Sequence, residues 1–87
     1  YELGAISRLT EPGEALDAAL ELAETIGVNG PLALVASKEI LDKQDSWSME
    51  EFWSNQDEIT PPVFASEDAK EGAKAFAEKR DPVWKGR

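Results

Sequence analysis

Ser66-Glu67-Asp68-Ala69-Lys70-Glu71-Gly72-Ala73-Lys74-Ala75-Phe76-Ala77-Glu78-Lys79-Arg80, residues 66–80, carries the start, the stripe and the end of one helix. Ser66 is an N-cap, a hydroxyl placed to accept from an orphan N–H of the first turn. Glu67 and Asp68 put negative charge at the positive end of the helix dipole, and Lys79 and Arg80 put positive charge at its negative end. Ala69, Ala73, Phe76 and Ala77 recur on one face, and Pro82 bars continuation. The chain on the N-terminal side of this stretch is punctuated in the same way.

Thr60-Pro61-Pro62 stops a preceding helix, because two prolines remove two donors and bias Thr60 away from the α region. That helix opens at Ser48-Met49-Glu50-Glu51, a capping box in which the Ser48 hydroxyl and the Glu51 carboxylate each accept from the other's backbone N–H. It carries Phe52, Trp53, Gln56 and Ile59. Pro31 opens another helix, with Leu32, Val35, Ala36, Ile40 and Leu41 as its apolar stripe up to Lys43. Earlier still, Thr10 offers an N-cap with Pro12 in the first turn, and Leu16, Ala19, Leu20, Ala23 and Ile26 run at helical spacing to Gly27. These two helices, joined at Asn29-Gly30, are expected to form an αα-hairpin. Leu3 to Leu9 reads as one short strand whose pairing partner lies outside the sequence. The expectation is a mainly α unit over residues 1–87, about four helices after one short strand, with Trp84 in a short tail and without a helical partner at the usual spacing.

Length and composition bound what such a unit does. A chain of 87 residues buries only about 60–65% of its unfolded surface, so a larger body is expected around it. The start at Tyr1, directly into apolar sequence, is expected of a piece of a longer chain. With neither Cys nor His, there is no disulfide framework, no usual zinc ligand and no common nucleophile–base pair. No apolar run approaches the roughly 20 residues needed to span a bilayer. A soluble, cytoplasmic protein without membrane contact is expected. The net charge of −9 argues against nucleic acid as a partner. Its distribution is uneven: residues 1–69 hold 15 acids and 3 bases, and residues 70–87 hold 3 acids and 6 bases, so a segment of +3 follows one of −12.

Several residue groups invite a chemical reading. Glu50, Glu51, Asp57 and Glu58 are paired carboxylates, yet they sit among polar neighbours and two fit a first helical turn, so a solvated face explains them better than acid/base work. They show no loop spacing for a metal, and no metal site is expected. Gly27, Gly30 and Gly72 form no phosphate-cradling motif and read as helix ends and close packing. Trp47, Trp53 and Trp84 read as packing surface. Phe76 and Lys79 stand apart. At a spacing of three on a helix they share a side, placing an aromatic face beside an ammonium, which suits a ligand with a flat ring and phosphates. A core phenylalanine and a dipole-matching lysine are the competing reading.

The string Phe64-x-Ser66-Glu67-Asp68-x-x-Glu71-Gly72-x-x-Ala75-Phe76-x-Glu78-Lys79-Arg80-x-Pro82, followed by Trp84, resembles the C-terminus of enoyl-CoA hydratase/isomerase (crotonase) family proteins. Leu3 to Leu9 and Asn29-Gly30-Pro31-Leu32-Ala33 with Ser37-Lys38 resemble earlier parts of the same region. The resemblance implies the C-terminal helical and oligomerisation segment of an α/β ββα-spiral fold, in a trimer or hexamer. It implies an acyl-CoA thioester as substrate, with coenzyme A as part of that substrate and no separate cofactor. It assigns the coenzyme A contacts to Phe76 and Lys79, and no catalytic residue to this chain. The oxyanion and acid/base groups belong to an upstream core, and Ile59 and Val63 fall where the last helices wall the acyl pocket. Hydration of 2-enoyl-CoA in fatty-acid metabolism is the leading expectation. Enoyl-CoA isomerisation, acyl-CoA hydrolysis and a non-enzymatic helical interaction module are the alternatives. A carrier domain is disfavoured, since no Asp-Ser-Leu attachment site is present.

Overall fold

Five helices follow one another in the computed structural model, which describes residues 1–87: α1 (Ala15–Gly27), α2 (Pro31–Lys43), α3 (Met49–Ile59), α4 (Pro61–Phe64) and α5 (Glu67–Glu78). A 3-10 turn at Gln44–Ser46 links α2 to α3. The strongest local signals set the starts. Pro31 occupies the first turn of α2. The capping box closes at α3, with the Glu51 N–H donating to the Ser48 hydroxyl at 3.2 Å and the Ser48 N–H donating to the Glu51 carboxylate at 2.8 Å. At α5 the Ala69 N–H donates to Ser66 Oγ at 3.0 Å.

Weaker signals gave way. α1 begins at Ala15 with Glu14 as an N-cap lacking a side-chain bond, so Thr10 caps nothing. Gly13 sits at φ +85°, which breaks the backbone between Thr10 and the helix. Residues Leu3 to Leu9 form no strand and are exposed, as a strand without a ladder partner must be. Thr60 stays in the α region at φ −80° and ψ −33° despite the proline after it. It closes α3 by donating to the Gln56 carbonyl at 3.0 Å and opens α4 by accepting from the Val63 N–H at 3.0 Å. Pro61 and Pro62 then fill first-turn positions that need no donor, so the chain turns into a further short helix. The expected hairpin also opens out, because the chain direction turns by 114° between α1 and α2.

The helices make a slab of 44 × 40 × 18 Å, little more than one helix layer thick. Its radius of gyration is 16.5 Å, against about 12 Å for a compact chain of this length. Its accessible surface is 7253 Å², about 2,000 Å² more than a compact monomer of this mass exposes. Only Ala36 and Ala75 are buried apolar residues, while Leu16, Leu20 and Ile26 of α1 face outward. The helical stripes read from the sequence are therefore real, but most have nothing to lie against within these residues. No single helix is long and apolar enough to cross a membrane.

Candidate functional site

The C-terminal tail folds back along α5 and is held there by two carboxylates. Asp68, in the first turn of α5, is only 4% exposed. It accepts from the backbone N–H groups of Lys85 and Gly86, both at 2.8 Å, and its own N–H donates to the Arg87 carbonyl at 2.9 Å. One turn on, Glu71 receives the Arg80 guanidinium in a fork at 2.7 and 2.9 Å, and the Val83 N–H at 2.8 Å. The Arg80 contact, reinforced by the Val83 N–H, holds the Glu71 carboxyl down at about 2, and the same pair raises Arg80 above its ordinary value. Between these anchors Trp84 donates from Nε1 to the Val28 carbonyl at 2.8 Å.

Trp84 lies over two glycines. A Cβ added at Gly72 would come within 3.1 Å of the indole, and one at Gly30 within 3.7 Å. Gly72 thus has a packing reason for standing inside a helix, where a glycine otherwise costs about 1 kcal/mol against alanine. Pairing Asp68 and Glu71 with the tail backbone, and the tail's Trp84 with Gly72 and Val28, was beyond sequence reasoning. The available signal was the coincidence of an interior helical glycine with a tryptophan in a nearby tail.

The last turn of α5 is closed by Lys79, at φ 54° and ψ 46° the one non-glycine residue with positive φ. The Arg80 N–H reaches the Ala75 carbonyl at 3.0 Å and the Lys79 N–H reaches the Phe76 carbonyl at 3.2 Å. These are the two bonds of a Schellman motif, which glycine usually completes. For lysine the left-handed conformation costs roughly 1–2 kcal/mol.

This geometry revises the expectation for Phe76 and Lys79. The helix ends at Glu78, so a shared helical face cannot be read as far as Lys79. The two residues instead flank the helix terminus, linked by the backbone bond from the Lys79 N–H to the Phe76 carbonyl. Phe76 is 88% exposed, so nothing within residues 1–87 covers its ring. Lys79 makes no ion pair, whereas Arg80 is bound to Glu71 and Glu78, and Arg87 to Glu67. The basic segment is accordingly smaller in practice than its composition, and Arg80 spends its charge on carboxylates in place of the dipole.

The other candidates fall as solvated or packed groups. Glu50, Glu51, Asp57 and Glu58 are all exposed along α3. Phe52 packs edge-on between Trp47 and Trp53, at ring separations of 6.1 and 5.3 Å. Ile59 and Val63 line a groove of about 450 Å³ with Leu32 and Val35.

A model of the enoyl-CoA hydratase/isomerase family matches residues 1–87. A carnitinyl-CoA dehydratase from Salmonella paratyphi B is 44% identical over 88 residues, covering 97% of this chain and 34% of that protein. The crystal structure of an enoyl-CoA hydratase from Mycobacterium tuberculosis is similar with a TM-score of 0.94 and 55% identity, over 99% of this chain and 34% of the other. One from Mycobacterium marinum gives 0.93 and 52% over the same shares. The chain spans about a third of the length of the relatives it matches.

Proposed function

The chain belongs to the enoyl-CoA hydratase/isomerase family, and on that premise we propose that it is the C-terminal helical and oligomerisation region of an enzyme that reversibly hydrates 2-enoyl-CoA thioesters. The slab shape and uncovered stripes support a body around it: the remainder of the crotonase core on one side and neighbouring subunits of a trimer or hexamer on another. The enzyme is assigned to the cytoplasm and to fatty-acid metabolism.

The observation that carries the ligand assignment is the pairing of an exposed Phe76 with an unpaired Lys79 at the end of α5. The Phe76 ring offers a face for adenine. The carbonyls of the last turn repel an anion, and the Lys79 ammonium reverses that sign locally. A phosphate of coenzyme A there gains a charge-assisted hydrogen bond of about 1.5–3 kcal/mol. The acyl chain then runs away from this terminus toward the upstream core.

Hydration also needs an oxyanion hole for the thioester oxygen and a carboxyl group poised to hand over a proton. Glu71 is shifted in the opposite direction, down to about 2, by its salt link to Arg80. We assign the chemical step to residues upstream of this chain and the nucleotide end of the substrate to this chain. The test is turnover of crotonyl-CoA. The full-length protein is expected to hydrate it and the isolated 87 residues to leave it unchanged. A full-length protein that only shifts the double bond or hydrolyses the thioester, or a pure fragment that turns over, would overturn the proposal.

A further inference from the structure

We infer that Glu71, acting through Arg80, is a positioning residue for Lys79, holding its left-handed backbone so that the ammonium stays directed at the ligand. The inference rests on the coenzyme A reading of Lys79 given above.

Three observations converge on it. First, Lys79 occupies a conformation that lysine disfavours, and strained backbone persists only where its surroundings over-determine it. Second, the residue immediately after it, Arg80, is held at both ends: its N–H by the Ala75 carbonyl, and its guanidinium by the Glu71 fork and by Glu78 at 2.6 Å. Third, Glu71 is itself fixed by the Val83 N–H, one residue before the Trp84 that is pinned on Gly72 and Val28. The chain from Glu78 to Val83 therefore has a narrow choice of paths, and Lys79 lies inside it. Glu71 touches no ligand in this scheme. It restricts the arc over which the Lys79 side chain moves, and so reduces the ordering that coenzyme A binding would otherwise have to impose.

The experiment is calorimetric titration of full-length protein with coenzyme A at low salt, using Lys79→Ala, Glu71→Gln and the double variant. Lys79→Ala and Glu71→Gln are each expected to weaken binding, by about tenfold and about threefold to fivefold, and the double variant to bind no more weakly than Lys79→Ala alone, the non-additivity of groups that act as a unit. Arg80→Met, which cuts the same link from its other end, should match Glu71→Gln and likewise lose its effect once Lys79 is alanine. If Lys79→Ala leaves the affinity unchanged, the coenzyme A reading fails and this inference falls with it. If Lys79→Ala weakens binding while Glu71→Gln does not, or if the two losses multiply in full, Glu71 is a structural residue only and the inference alone is overturned.

Discussion

The first and last thirds of the chain use similar helical sequences to different ends. α1 has a clear apolar stripe, no side-chain cap and no buried residue. α5 has a capping serine, a buried carboxylate in its first turn and a tail bonded along its side. The difference lies in where the partner is. α1 presents Leu16, Leu20 and Ile26 to something outside these residues, whereas α5 carries its partner on the same polypeptide, within twenty positions. A strong helical pattern alone thus tells little about self-sufficiency, and the backbone bonds of the tail tell a good deal.

Removing the tail's apolar anchor should abolish the contrast most completely. Trp84→Ala loses the packing on Gly72 and Gly30 and the bond to Val28. A loss of about 2–4 kcal/mol is expected, less than for a fully buried tryptophan, read as a fall in the thermal midpoint of the full-length protein. Asp68→Ala should follow with about 1–3 kcal/mol, because the N–H groups of Lys85 and Gly86 lose their acceptor. Its signature is faster hydrogen exchange at those two amides, with α1 amides unchanged.

The helices were legible where a single residue type forces a start. Pro31, Ser48 with Glu51, and Ser66 each placed one correctly, since proline geometry and capping bonds act within one turn. The strand at Leu3 to Leu9 and the cap at Thr10 failed because each needed something the local sequence lacks, a ladder partner in one case and a continuous helical backbone in the other. The tail was illegible for a further reason. Asp68 to Lys85 and Trp84 to Val28 are side-chain-to-backbone bonds spanning 17 and 56 positions, and no periodicity encodes such pairs. Phe76 and Lys79 were singled out by a helical spacing that stops one residue short, and the left-handed turn at Lys79 was not foreseen, as lysine is a poor candidate for it.

Acid sharpens the comparison further. Glu71 titrates at about 2 in the folded chain against a usual 4.5, so its contribution to holding the tail is full above 4.5 and is lost as the pH falls from there toward 2. Amide protection at Val83 should fade across that window. Lys79→Gly is expected to have the smallest effect and the opposite sign, raising stability by about 1 kcal/mol by relieving the left-handed lysine. A rise in thermal midpoint together with weaker coenzyme A binding would mark a residue retained for its ligand.

The most direct measurement is the affinity of the full-length protein for coenzyme A with and without the Lys79 ammonium. Lys79→Ala should weaken binding by about 1–2 kcal/mol at low salt, toward the low end for a charge-assisted contact because the ammonium is partly solvated, and the difference should shrink as salt is added. Equal affinity of the two proteins at low salt would contradict the assignment of this helix terminus to the coenzyme A site.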